Sequence, residues 1–102
     1  GETVRGYEVD RRLKERFEQL GCAQYLMHRT GHNIGHRCHG IGANLDDYET
    51  HDDRCLLPGT MFSIEPGLYT DKYGVRLEYD VHITSEGETK VYGPVQDEIL
   101  VI

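Results

Sequence analysis

The chain has 102 residues, enough for one small domain with a modest core and too few for two. Eighteen Asp and Glu against eleven Lys and Arg give a formal charge of −7, and the basic residues are scattered, which argues against a phosphate-backbone partner such as nucleic acid. No apolar run is long enough to span a bilayer and no signal-like start is present, so no membrane partner is expected. The three cysteines, Cys22, Cys38 and Cys55, form no C-x-x-C pair and are odd in number, which points to a reducing, cytoplasmic setting rather than a disulfide scaffold. The opening "GETVRGYEVDRRL" starts with Gly and leads straight into a helical pattern, as a piece of a longer domain would.

In chain order, "YEVDRRLKERFEQLG" places Val9, Leu13, Phe17 and Leu20 at helical spacing, with Gly21 positioned to stop the helix. The short apolar "CAQYLMHR" reads as a strand delivering His28. From Gly31 to Gly40 the glycines make a regular helix improbable, since each costs about 1 kcal/mol in a helix interior. His28, His32, His36 and His39 therefore sit on a loop or irregular strands, and a one-face helical histidine site is disfavoured. "ANLDDYETHDDRCLLPGT" is polar and turn-rich, and its acidic cluster, Asp46, Asp47, Asp52 and Asp53, lacks calcium-loop spacing and reads as a solvated loop.

"MFSIEPG" is expected to be a strand halted by Pro66-Gly67, leaving Glu65 at its end. In "GVRLEYDVHIT" apolar Val75, Leu77, Tyr79, Val81 and Ile83 alternate with Arg76, Glu78, Asp80 and His82, the pattern of a strand with one face in the core. On that reading Arg76 and Glu78 point the same way. A last strand, "DEILVI", is expected after the turn-like "TSEGE" and "YGPVQ".

His32, Glu65 and Glu78 are candidate divalent-metal ligands, because imidazole and carboxylate donors on strand ends can converge. The competing reading is a solvated histidine loop beside cross-strand salt bridges, and spacing alone leaves both open. Cys38 beside His39 suggests a nucleophile and its base, yet neighbours on extended chain point apart, so buried or inert thiols are expected.

Taken together, "MHRTGHNIG…H", "GTMFSIEPGLY" and "GVRLEYDVHIT" resemble the C-terminal half of the pita-bread metallopeptidases, the family of methionine aminopeptidase, prolidase and aminopeptidase P. The resemblance covers nearly the whole chain, starting with the helix "GYEVDRRLKERFEQLG", makes residues 1–102 the C-terminal portion of one catalytic domain, and implies an α+β fold: half of a pita-bread (creatinase/aminopeptidase) fold, with one or two helices packed on a curved antiparallel sheet. It implies a dinuclear peptidase that cleaves Xaa-Pro bonds by metal-activated hydroxide. His32, Glu65 and Glu78 match metal ligands for two divalent ions (manganese, cobalt or zinc), and Glu65 also matches the general base. His39 matches the group that steadies the tetrahedral intermediate. His28, four residues before the ligand, and Arg76, two before Glu78, match the proline-specific branches and would contact substrate or hold neighbouring carboxylates.

The resemblance also implies two aspartate ligands from an N-terminal half that this chain does not match. An isolated chain is then expected to bind metal weakly, show little peptidase activity and self-associate over an uncovered sheet edge and apolar face. "CHGIG" departs from the His-Glu-x-Pro of many relatives, with Gly40 in place of the acidic residue, and Asn33 is a smaller change. Two further readings share the resemblance: a metal-independent creatinase-like hydrolase, and a peptidase-like binding module, against which the retained ligand residues count.

Overall fold

The computed structural model describes residues 4–92. Among these residues one helix, α1 (Gly6–Gln19), is followed by a single 3-10 turn (Ala23–Tyr25) and six short strands: β1 (Asn33–Ile34), β2 (Met61–Ile64), β3 (Gly67–Tyr69), β4 (Gly74–Arg76), β5 (Tyr79–Ile83) and β6 (Thr89–Tyr92). The strands form an antiparallel sheet in the order β1-β2-β5-β6 and a separate β3-β4 hairpin.

The helix ends where Gly21 predicts. Gly21 takes a positive φ of 78°, its N–H donates to the Glu18 carbonyl at 3.0 Å, and the Cys22 N–H donates to the Phe17 carbonyl at 3.0 Å, which closes the last turn. At the other end Gly6 packs on loop backbone so closely that a Cβ would collide with the Asn44 carbonyl. Val9 packs on the core, Leu13 and Phe17 are half-buried, and Leu20 is exposed because it caps the helix rather than continuing its face. The innermost side chain of α1 is a charge, Asp10, 1% exposed.

Leu45, Phe62 and Val81 form the core, flanked by Val9, Leu56, Ile64 and Ile83. Among the described residues, twelve large hydrophobic side chains stay exposed, including Val75, Leu77, Val91 and Tyr92 on or beside β4 and β6.

The structure corrects several expectations. "CAQYLMHR" is not a strand: it holds the 3-10 turn and then a lone bridge between Leu26 and Leu68. "GVRLEYDVHIT" is two strands, β4 and β5, interrupted at Leu77 and Glu78. Its alternation persists, but only Val81 reaches the core, while Val75 and Leu77 face solvent at 48% and 41% exposure. The acidic loop is not uniformly solvated, because Asp46 and Asp52 are buried. Cys38 is exposed, and Cys22 and Cys55 are half-buried. β6 follows the turn-like "TSEGE" and reaches Tyr92 of "YGPVQ", where no strand was expected, and "DEILVI" lies outside the described residues.

Candidate active site

The two sheets share one register. In β2-β5 the partners run from Met61↔His82 to Ile64↔Tyr79, and in β3-β4 from Gly67↔Arg76 to Tyr69↔Gly74. Every pair belongs to one continuous antiparallel alignment, so continuing β2-β5 by one residue sets Glu65 opposite Glu78, and by two sets Pro66 opposite Leu77. The Leu77 N–H does donate to the Pro66 carbonyl, at 3.4 Å. Pro66 has no N–H to return, which opens the ladder at this point. Directly opposed residues of an antiparallel pair point to the same face, so the gap brings the two carboxylates together.

His32 joins them from the other side of β2. Thr30 and His32 extend the β1 register: the Glu65 N–H donates to the Thr30 carbonyl at 2.7 Å, and the Ser63 N–H to the His32 carbonyl at 2.9 Å. The His32 N–H in turn donates to the buried Ser63 hydroxyl at 3.1 Å. His32 is 5% exposed, and its Nδ1 lies 3.0 Å from the Asn33 carbonyl. A carbonyl can only accept, so Nδ1 carries a proton, and in the neutral ring Nε2 is the nitrogen with the free lone pair. That Nε2 lies 3.9 Å from Glu65 Oε1.

Desolvation raises the Glu78 carboxyl above the ordinary range, and the Glu65 carboxylate raises it further by its charge and a side-chain hydrogen bond. The charges of Arg76 and His32 pull it down again. Glu78 remains solvent-exposed, so the proximity of Glu65 is the more specific of the two causes. Two carboxylates and the His32 Nε2 are donors of the kind that could hold a hard or borderline divalent cation, whose charge would offset the carboxylate repulsion.

His39 is exposed, with its ring centroid 4.2 Å from that of His32. His28 is committed elsewhere: its Nδ1 lies 2.7 Å from the Arg29 carbonyl and its Nε2 2.8 Å from the Tyr69 hydroxyl. With Nδ1 donating to the carbonyl, Nε2 accepts from the Tyr69 O–H. His36 is exposed on the following bends.

Three supporting residues escape a reading by motif. Asp10 accepts from the Thr30 N–H (3.0 Å), the Thr30 hydroxyl (2.6 Å) and the Asp47 N–H (2.6 Å), and pairs with Lys14 at 2.9 Å. It thereby fixes Thr30, two residues before His32. Ser63 holds the His32 backbone, and Tyr69 holds the His28 ring. Asp10 could have been singled out as an acidic residue one position from the apolar stripe of α1, whereas Ser63 and Tyr69 carry no such signal.

The model of metallopeptidase family M24 matches residues 2–85. The chain belongs to this family. It is 36% identical over 90 residues to "Probable dipeptidase PepE" of Mycobacterium bovis, covering 86% of this chain and 23% of that protein. To the Xaa-Pro dipeptidase of Pyrococcus furiosus it is 32% identical over 85 residues, 82% of this chain and 23% of that protein. An Xaa-Pro dipeptidase structure from Bacillus anthracis superposes with a TM-score of 0.82 at 32% identity, over 98% of this chain and 27% of that one. The chain thus spans about a quarter of the length of the relatives it matches, and its fold is the helix-on-antiparallel-sheet half of the pita-bread architecture. Among the described residues, no helix is long and apolar enough to cross a membrane.

Proposed function

We propose that this chain is the C-terminal portion of the catalytic domain of a dinuclear metallopeptidase that cleaves Xaa-Pro peptide bonds. The observation that carries the reading is the opposition of Glu65 and Glu78 at the gap in one hairpin register, with the Nε2 of His32 3.9 Å from Glu65. Naming of relatives as Xaa-Pro dipeptidases supports the substrate class.

On this reading His32, Glu65 and Glu78 supply part of the ligand set, and aspartates from an N-terminal half complete it. The bound divalent ions, manganese, cobalt or zinc, would supply an activated water and polarise the scissile carbonyl. Glu65 accepts a proton from the attacking water and returns it to the departing proline nitrogen. His39, exposed beside His32, donates a hydrogen bond to the carbonyl oxygen as it gains charge. Arg76 balances the Glu65–Glu78 pair. His28 acts on a proline-containing peptide through Tyr69, since both of its ring nitrogens are already engaged.

The test is hydrolysis of an Xaa-Pro dipeptide with added manganese. The 102-residue chain should show little or no turnover, and joining it to the N-terminal half should give turnover that Glu65→Gln and Glu78→Gln each abolish. Ordinary enzyme rates from the chain alone, or full activity in the joined Glu78→Gln protein, would overturn the proposal.

A further inference from the structure

His32, Cys38 and His39 each offer a ligand atom, and these atoms all lie within 4.8 Å of one another. The sequence argument that adjacent side chains diverge holds for extended chain, but residues 36–39 are a run of bends. Two backbone bonds fold this run back on β1: the Gly40 N–H donates to the Asn33 carbonyl at 2.9 Å, and the Gly35 N–H to the Arg37 carbonyl at 3.2 Å. A Cβ on Gly35 would stand 3.0 Å from the Gly40 Cα, so the closure depends on both glycines. The closed loop carries Cys38 and His39 back over His32.

We propose that His32, Cys38 and His39 form a separate site for a soft or borderline divalent ion such as zinc. A thiolate and two imidazoles favour zinc or cadmium, whereas the Glu65–Glu78 pair favours manganese. In a tetrahedral site with metal–nitrogen bonds of about 2.0 Å and metal–sulfur bonds of about 2.3 Å, the donors stand roughly 3.5 Å apart. Closing from 4.8 Å requires movements of about 1 Å, which the exposed Cys38 and His39 can make by side-chain rotation against a fixed His32. Three protein ligands leave a fourth position open.

His32 has one free nitrogen, so it cannot serve this site and the Glu65–Glu78 centre together. Occupation of the thiolate site withdraws His32 from Glu65, making it an inhibitory site for thiophilic metals. This goes beyond the peptidase reading and draws on two of its residues, His32 and His39, while Cys38 belongs to this site alone.

Cobalt titration of the reduced chain tests it, because thiolate coordination gives a charge-transfer band that carboxylate and imidazole ligands do not. The band should saturate near one equivalent, disappear in Cys38→Ser, persist in a Cys22→Ser/Cys55→Ser double variant, and require about tenfold more cobalt in His39→Ala. Glu78→Gln should leave it unchanged, which separates this site from the carboxylate centre. Absence of a band in the unaltered chain, its survival in Cys38→Ser, or its loss in the double variant or in Glu78→Gln would overturn the proposal.

Discussion

Truncating Asp10 to Ala should be among the most damaging single changes in the chain. The carboxylate is 1% exposed, accepts three hydrogen bonds and pairs with Lys14. After truncation the Thr30 N–H still has the Leu45 carbonyl at 3.1 Å, but the Asp47 N–H and the Thr30 hydroxyl lose their acceptor. Each buried donor left unmet costs about 1–3 kcal/mol, so Asp10→Ala should cost about 2–5 kcal/mol. Set against a typical domain stability of about 5–15 kcal/mol, that is a large fraction, and it should lower Tm by roughly 10 °C or more. Thr30→Val, which removes only the hydroxyl, should cost about 1 kcal/mol, and the double variant less than the sum, because the two share a bond. Urea denaturation followed by circular dichroism, with the exposed Arg12→Ala as control, measures all four. If Asp10→Ala shifts stability by less than about 0.5 kcal/mol, as a surface change would, the reasoning is wrong.

Asp52 takes bonds from the Asn44 N–H and from the Arg54 backbone and guanidinium, and chiefly the Arg54 hydrogen bond holds its carboxyl down at about 2 against a usual 3.8. A depressed carboxyl contributes stability above its unfolded pKa and loses it as pH falls through the folded value, so about 1–2 kcal/mol, discounted because Arg54 is half-exposed, should vanish between about pH 4 and pH 2. Denaturation midpoints of Asp52→Asn measured across that window should therefore fall less steeply than those of the unaltered chain; parallel curves would exclude the linkage. A Cβ at Gly40 would collide with the Asn33 carboxamide and with the Gly35 backbone, so Gly40→Ala should destabilise by about 1–3 kcal/mol and Asn33→Gly should relieve part of the loss; additive thermal shifts would show that the two do not touch. The apolar side chains exposed on and beside β4 and β6 should drive self-association of the isolated chain, seen by light scattering as mass rising with concentration, and a constant monomer mass would refute this.

Elements governed by local chemistry were legible in the sequence. The α1 stop follows from a glycine at the one position that needs positive φ, and the β2 end from Pro66. Glu65 and Glu78 were found as strand-linked carboxylates, but their opposition depends on register between segments, which periodicity within one segment does not contain. The same limit explains "GVRLEYDVHIT": alternation sets which side chains share a face, whereas the partner strand decides where pairing breaks and which part is covered. Asp46 and Asp52 looked solvated because acidic loops usually are, and became buried because backbone N–H groups and Arg54 satisfy them. Cys38 is exposed rather than buried because the divergence of neighbours holds on extended chain, whereas the Gly35 and Gly40 contacts bend its loop back.

Manganese titration by calorimetry, run in parallel on the chain and on Glu78→Gln, addresses the metal centre most directly. Glu78 is exposed and stands beside another carboxylate, so its neutral replacement should leave the fold intact and raise Tm slightly by removing like-charge repulsion, while the manganese heat disappears. Weak binding in the chain that is lost in Glu78→Gln is the predicted result. Identical isotherms for the two proteins, with both folded by circular dichroism, would contradict the assignment of His32, Glu65 and Glu78 as a metal-binding group.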